Sequence, residues 1–303
     1  MPMPAEVMLR EVGPRDGLQN EQAIIPTEKK VAWIEKLMDA GLRYIEVSSF
    51  VSPKWIPALA DADDVFRYLT RREEVTLAAL VPNPKGLERA LRAEVDEVSV
   101  FISASDTHNR RNVNKSIEDT LPVLQEVTRE AKKAGKTVRG YVSMVFGCPY
   151  EGQISTPQVE KVSHALLESG IDELSLGDTI GTANPKQVTH VLRQLKTTIP
   201  TGRMALHLHN TRGLAAANIV AGLEQNIQIF DSASGGLGGC PYADGASGNI
   251  ATEDVQYLME SMGIATGADL NRLIEAAAFI EPHTARGLAS YQAALVPRGE
   301  DGA

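Results

Sequence analysis

Two histidines that share one face of a predicted strand offer the clearest chemistry in this sequence. His207 and His209 lie in the run MALHLHNTRG. Side chains two residues apart on a strand point the same way, so both imidazoles can reach one cation. The alternative is an ordinary half-buried strand that carries two polar residues, and the pair alone does not decide between the two.

Other unusual polar residues fall where predicted strands end. Arg15 and Asp16 follow the first strand, Glu46 ends the second, Asp178 follows the sixth, and the loop GGLGGCPYADGASGN follows the eighth. Each has a structural explanation when taken singly: a paired carboxylate for Glu46, a cap or turn residue for Asp178, an ion-pair partner for Arg15. Their clustering at strand ends favours a functional site.

The residue types predict a metal centre. His207, His209, Asp16 and the amide oxygen of Asn249 would form a mixed set of nitrogen and oxygen donors with one negative charge. Such a set suits Mg²⁺ or Mn²⁺, because structural zinc prefers a closed, thiolate-rich site. The thiol of Cys240, in the glycine-rich run LGGCPY, can exchange a proton near neutral pH if a metal and an arginine lie beside it.

The remaining cysteine and histidines carry no such pattern. Cys148 has no carboxylate or histidine pattern around it, so we predict a buried structural thiol. The other four histidines are not expected to be ligands; they are His108, His164, His190 and His283.

Strand-like and helical segments alternate along the chain, which predicts a (β/α)8 TIM barrel with additional C-terminal helices. The predicted strands are 7–12, 44–48, 76–81, 97–102, 137–145, 173–176, 204–209 and 227–232. The predicted helices are 27–40, 58–70, 84–92, 116–134, 156–169, 184–196 and 213–225, with closing helices at 252–263 and 268–279. Thr27 and Ser116 are predicted caps, and Gly41, Gly135 and Gly170 are predicted helix ends.

Neither a second domain nor an open sheet is favoured. A doubly wound sheet usually carries a glycine-rich phosphate turn after its first strand, whereas this chain has GPRDGLQNE there. No linker or shift in composition divides the chain, so we expect one catalytic domain over residues 1–303, with a short polar tail from about residue 297.

Composition narrows the range of partners and compartments. A net charge of −9 argues against nucleic-acid and anionic-membrane partners, which select clustered lysine and arginine. Two unpaired cysteines indicate a reducing compartment. No apolar run approaches the ~20 residues that span a bilayer, and no targeting segment is recognised, so a cytoplasmic protein is expected.

Five motifs together resemble one enzyme family. GPRDGLQNE, IEVSSFVSPKW, SLGDTIG, HLHNTRG and GLGGCPYADGASGN are similar to those of 3-hydroxy-3-methylglutaryl-CoA (HMG-CoA) lyase, within the wider DRE-TIM group of metalloenzymes. The resemblance runs from about Glu6 to Ile280. It implies cleavage of HMG-CoA to acetyl-CoA and acetoacetate by a barrel that is usually dimeric and uses Mg²⁺ or Mn²⁺.

The resemblance also implies roles for individual residues. Four positions match metal ligands, namely Asp16, His207, His209 and Asn249. Arg15 would stabilise the enolate, Cys240 would be the acid/base thiol, and Glu46 and Asp178 would support catalysis together with His207. Positions expected near the substrate are Arg15, Gln19, Tyr141, Ser175 and Thr179.

The chain leaves the family pattern after the histidine pair. Asn210 stands where similar lyases have aspartate, and Arg212 follows; loss of a charge there can change metal affinity. Arg212 is predicted to pair with a carboxylate or a CoA phosphate. The basic run 110–115 is either a phosphate contact or a solvated loop. A related 3-hydroxy-acyl-CoA substrate, citramalyl-CoA-like or a longer branched glutaryl-CoA, therefore stays open.

Two other protein classes remain as alternatives. A Claisen-condensing acyltransferase of the isopropylmalate or homocitrate synthase type shares the Arg-Asp start and the histidine pair. Cys240 and the lack of a C-terminal regulatory extension argue against it. A non-enzymatic acyl-CoA-binding or metal-sensing barrel is disfavoured, because all the proposed catalytic groups and ligands occur together.

Overall fold

Eight parallel strands close into a barrel in this computed structural model, which describes residues 3–239, 248–285 and 287–296. The strands follow one another around the barrel in chain order, and the last pairs with the first. Their bounds are β1 Met8–Glu11, β2 Tyr44–Ser49, β3 Thr76–Leu80, β4 Glu97–Ser103, β5 Thr137–Ser143, β6 Glu173–Asp178, β7 Met204–Leu208 and β8 Ile229–Ser232. The (β/α)8 prediction is confirmed.

Helices cover the outside of the barrel. Those of the repeat are α1 Thr27–Asp39, α2 Ala62–Tyr68, α3 Pro84–Arg92, α4 Asp106–Val113, α5 Ile117–Lys133, α6 Thr156–Glu168, α7 Pro185–Leu195 and α8 Ala215–Glu224. The closing helices are α9 Thr252–Ser261, α10 Leu270–Ile280 and α11 Tyr291–Leu295. The short helices α4 and α11 were not predicted. In the described part of the chain, no helix combines the length and the apolar character that crossing a bilayer requires.

Local signals set several helix ends. Ser116 accepts a hydrogen bond from the backbone N–H of Asp119 and caps α5, as predicted. Gly41, Gly135 and Gly170 all have positive φ just after a helix, which confirms them as C-terminal stops. The prediction for Thr27 was wrong. Pro26 occupies the cap position of α1, and the Thr27 hydroxyl instead donates to Asp61.

The core has an apolar outer shell and a charged interior. Strand alternation sends Ile45 and Val47 towards the helices, where they join the large cluster of buried aliphatic side chains. It sends Tyr44 and Glu46 into the barrel, where both are buried. A buried charge needs a partner, so the interior forms ion pairs and hydrogen bonds where a barrel of this kind usually packs branched aliphatic residues. These side chains form the floor beneath the polar residues at the carboxyl ends of the strands.

Candidate active site

A cavity of about 590 Å³ opens at the carboxyl ends of the strands. Seven residues predicted for the site line it: Arg15, Asp16, Gln19, Tyr141, Thr179, His207 and His209. Glu46, Ser175, Asp178 and Asn249 are buried behind or beneath that lining. Cys240 lies outside the described residues.

Three donor atoms converge on one point of the cavity wall. The Nε2 atoms of His207 and His209 are 3.2 Å apart, and each lies 3.8–3.9 Å from Oδ2 of Asp16. All three side chains are buried. Among the described residues, these three side chains form the group whose donor atoms lie close enough to one another to bind a single metal ion.

Electrostatics keeps these groups in the protonation states that bind cations. Burial alone would raise the pKa of Asp16, but Arg15 and the two histidines outweigh it and lower that pKa to about 2. Burial, reinforced by His207, lowers the pKa of His209 to about 3. At neutral pH the site therefore presents a carboxylate and a neutral imidazole.

Several buried polar atoms around the cluster fit a divalent cation. The His207 Nδ1 atom lies 3.1 Å from the Asp231 carboxylate, so Nδ1–H donates and leaves the Nε2 lone pair facing the cluster. The Nδ1 atom of His209 and the Oδ1 atom of Asn249 are buried and have no hydrogen-bond partner among the described residues. The Asn249 amide nitrogen donates to Asp16 Oδ2 at 2.7 Å, so Asn249 adjoins the cluster.

An arginine lies beside the cluster. Arg15 donates from Nε to Glu46 and from Nη1 to Asp16, each at 2.5 Å. Burial would lower the pKa of Arg15, but the two carboxylates outweigh it and raise that pKa, so the guanidinium stays charged. Tyr141 packs its ring against Arg15 and donates its hydroxyl to Glu46. Gln19 donates to Asp16 at 2.7 Å. This arrangement presents a fixed cation to the cavity.

Two predicted residues have their polar atoms engaged elsewhere. The Asp178 carboxylate accepts hydrogen bonds from the backbone N–H groups of Thr182 and Ala183, which is the turn-residue alternative left open by the sequence. The Ser175 hydroxyl donates to Asp231 at 3.0 Å, below the cavity. Their neighbour Thr179 does line the cavity.

The two departures from the family pattern do not face the cavity. Asn210 accepts a hydrogen bond from the backbone N–H of Ala215, at the start of α8. Arg212 donates to the carbonyls of Ile180 and Gly181 in the loop after β6. In this structure the Arg212 guanidinium is directed at backbone oxygens, and its pairing with a carboxylate or a CoA phosphate stays a prediction.

The outer part of the cavity combines Trp55 and His108, which the sequence did not indicate as site residues, with Asn112 and Lys115 of the basic run 110–115. Trp55 follows β2 and is 70% exposed at the rim, while His108, Asn112 and Lys115 come from α4 and the turn after it. Burial lowers the pKa of His108 to about 4, so this cavity-lining imidazole is neutral. Their common signal is position, since all of them follow the carboxyl end of a strand.

The basic run 110–115, for which the sequence left open a phosphate contact or a solvated loop, is mostly helix. Arg110 pairs with Asp106 on the exposed face of α4, and the Arg111 guanidinium lies 4.3 Å from the ring centre of Tyr150. Of the basic residues in the run, Lys115 lines the cavity. Cys148 is buried and donates its thiol to Ser105, which confirms the structural interpretation.

A closed (β/α)8 barrel with a carboxylate–imidazole cluster and a buried arginine at its mouth defines a divalent-metal-dependent barrel enzyme. The HMGL-like family matches residues 6–280, and the chain belongs to that family. The resemblance predicted from the sequence is thereby confirmed.

Relatives and solved structures that share more than a third of their residues with this chain include several HMG-CoA lyases. The chain is 54% identical over 290 residues to hydroxymethylglutaryl-CoA lyase YngG of Bacillus subtilis (strain 168), covering 96% of this chain and 97% of that protein. The crystal structure of the Bacillus subtilis HMG-CoA lyase matches with a TM-score of 0.96 at 53% identity, over 97% of this chain and 99% of that one. An HMG-CoA lyase from Acinetobacter baumannii, solved with coenzyme A and 3-methylmalate, gives a TM-score of 0.92 at 39% identity, over 99% and 97% of the two chains.

Proposed function

We propose that this enzyme cleaves HMG-CoA to acetyl-CoA and acetoacetate. One observation carries the proposal: the His207, His209 and Asp16 donor atoms converge beside the buried Arg15 guanidinium, in a chain 54% identical to a hydroxymethylglutaryl-CoA lyase. The reaction breaks the C2–C3 bond of the acyl group. It requires a deprotonated tertiary alcohol and a stabilised thioester enolate.

Mg²⁺ or Mn²⁺ is the proposed metal, held by Asp16, His207, His209 and Asn249. A mixed set of nitrogen and oxygen donors with one carboxylate supports this choice. When bound, such an ion would lower the pKa of the substrate hydroxyl and so favour the alkoxide that cleavage requires. Asn249 would bind through its amide oxygen, the buried atom that has no partner among the described residues.

Arg15 would stabilise the enolate oxygen of the departing acetyl-CoA. Its guanidinium lines the cavity and is held by Glu46 and Asp16, so little reorganisation is needed when charge develops. Glu46 would act through Arg15, because its carboxylate does not line the cavity. Cys240, the acid/base thiol by resemblance to the family motif, would accept the proton of the tertiary alcohol and deliver it to the enolate carbon; this role rests on the motif alone.

The coenzyme A portion would occupy the outer part of the cavity. Lys115 supplies a cation for a phosphate, and Trp55 supplies an exposed aromatic surface at the rim. Gln19, Tyr141 and Thr179 lie deeper and would contact the acyl group. Asp178 would contribute by holding the loop after β6, and Ser175 by holding the Asp231 carboxylate.

Removal of the metal tests the proposal directly. We expect purified enzyme to release acetoacetate from HMG-CoA in a coupled assay, to lose this activity with EDTA, and to regain it with Mg²⁺ or Mn²⁺. Rates measured on a panel that includes citramalyl-CoA-like and longer branched glutaryl-CoA substrates show which acyl group the enzyme prefers. Condensation of acetyl-CoA with 2-oxo acids that outpaces cleavage would identify an acyltransferase. Binding of CoA thioesters without cleavage would identify a non-catalytic barrel.

We also infer a homodimer that works in the cytoplasm. Tyr257 on α9 and Tyr291 and Leu295 on α11 are more than half exposed, and these two helices pack together. Sedimentation equilibrium and cell fractionation test the two statements separately.

A further inference from the structure

A column of alternating arginine and tyrosine side chains runs through the inside of the barrel. The order is Arg10, Tyr44, Arg139, Tyr141 and Arg15, and it ends at the cavity. The guanidinium carbons lie 4.0, 5.8, 4.7 and 5.4 Å from the successive ring centres. Cations stacked on aromatic faces attract the rings electrostatically, more strongly where water is excluded.

Arg139 is the centre of this column and is completely buried. It donates to Asp231 twice, from Nη2 to Oδ1 at 2.6 Å and from Nη1 to Oδ2 at 3.2 Å. It also donates from Nη1 to the Tyr141 hydroxyl and from Nε to Glu173, each at 2.7 Å. Four hydrogen bonds therefore fix the orientation of its guanidinium plane.

Two chains of hydrogen bonds lead from Arg139 to the two halves of the candidate active site. The metal arm runs through Asp231 to Nδ1 of His207. The arginine arm runs through the Tyr141 hydroxyl to Glu46 and on to Arg15. Both arms start from one rigid plane, so a shift of Arg139 moves both.

We propose that Arg139 is a positioning residue that holds the metal-binding imidazole of His207 and the Arg15 guanidinium in register with each other. The inference rests on the proposed function for its metal and its reaction. Lysine cannot replace Arg139 in this role. An ammonium group is a point charge with three donors, whereas the planar fork binds Asp231 in two places and still reaches Tyr141 and Glu173.

The histidine tautomer provides a test that needs neither metal nor substrate. In metal-free protein labelled with ¹⁵N-histidine, wild type should show His207 protonated at Nδ1, with His207→Gln assigning the signal. Asp231→Asn and Arg139→Lys should both change the Nδ1 signal. Tyr141→Phe should leave it in place, because it cuts only the arginine arm.

Metal affinity and turnover separate the two arms. By Mn²⁺ electron paramagnetic resonance, Asp231→Asn should weaken Mn²⁺ binding about 10- to 100-fold. Tyr141→Phe should lower kcat roughly 10-fold or more, with a smaller change in Mn²⁺ affinity. Arg139→Lys should weaken binding and lower kcat together.

Arg10→Lys is the matched control, since Arg10 is a buried arginine that shares Glu173 with Arg139 but bonds to neither Asp231 nor the Tyr141 hydroxyl, the groups that begin the two arms. It should lower the melting temperature and leave Mn²⁺ affinity within about twofold of wild type. Equal loss of affinity in Arg10→Lys would indicate general loosening and overturn the proposal.

A folded Arg139→Lys with the wild-type histidine signal would also overturn it. If Arg139→Lys does not fold, an unchanged Nδ1 signal of His207 in Asp231→Asn would overturn the proposal instead. A wild type that shows the tautomer and the affinity pattern but cleaves no HMG-CoA would contradict the proposed function and leave the role of Arg139 standing.

Discussion

Arg15 illustrates how neighbouring charges set the role of one residue. Two carboxylates hold its guanidinium against the cavity and keep it charged despite burial. A cation of this kind helps most when negative charge appears during the reaction. The proposed function therefore makes Arg15 a group that acts on turnover more than on binding.

Replacement of Arg15 by glutamine should lower kcat about 100- to 1000-fold in the HMG-CoA cleavage assay. The shorter amide keeps a donor for Glu46 but loses the charge, so the protein should stay folded and still bind Mn²⁺. Arg67→Gln, at an exposed arginine on α2, is the control and should have full activity. Near-normal turnover by folded, metal-binding Arg15→Gln would contradict the assignment.

Among the elements, α8 explains the unusual residue after the histidine pair. Asn210 accepts from the first backbone N–H of this helix, one of the donors that lack a partner within the helix itself. We therefore predict that its side chain stabilises α8 and that the loss of charge at this position leaves metal affinity unchanged.

Two substitutions at Asn210 test that interpretation. Asn210→Ala should cost about 1 kcal/mol of unfolding free energy, because a capping oxygen is lost. Asn210→Asp should retain the cap and gain up to about 1 kcal/mol from the helix dipole. Urea unfolding gives both values. Mn²⁺ affinity should stay constant in both variants; a large gain in affinity for Asn210→Asp would show that the charge acts on the metal.

The sequence predicts the secondary-structure elements and the cavity-lining residues better than it predicts the buried residues that hydrogen-bond to that lining. All eight strands were found because their apolar residues alternate or run together. Helix α4 was missed because DTHNRRNV has no apolar period, and its buried residues are His108 and Asn109. Asp231 and Arg139 were missed because their burial depends on which strand face points inward. That face is decided by barrel closure, although a charged residue within a short apolar strand is a usable signal.

For the whole molecule, two buried carboxyl groups make stability depend on pH. Glu11 and Glu253 are both fully buried near the loop after β8, where they accept hydrogen bonds from Ser234. Burial raises the pKa of Glu11 to about 7 and that of Glu253 to about 8. The folded state therefore holds protons that the unfolded chain has already released.

The stability contributed by these carboxyl groups is fully present below about pH 4.5 and is lost as pH rises through 7 to 8. Because one pKa unit is worth about 1.4 kcal/mol, unfolding free energy should fall by on the order of 6 kcal/mol between pH 5 and pH 8. Glu253→Gln should flatten this dependence, whereas Glu260→Gln, exposed on the same helix, should keep it. An unchanged slope in Glu253→Gln would rule out Glu253 as the source.

The charged interior also constrains how the chain folds. Glu97 accepts hydrogen bonds from Tyr44 of β2 and Thr137 of β5. Glu173 of β6 pairs with Arg10 of β1 and with Arg139 of β5. Glu46 of β2 accepts from Arg15, which follows β1, and from Tyr141 of β5. Each carboxylate thus joins the first four strands to the last four. A half-formed barrel would bury charge without its partner, at a cost of several kcal/mol. We expect the metal-free chain to unfold in a single cooperative transition, with circular dichroism and tryptophan fluorescence tracing the same curve. In such a chain the groups that arrange the cavity also penalise partly folded states.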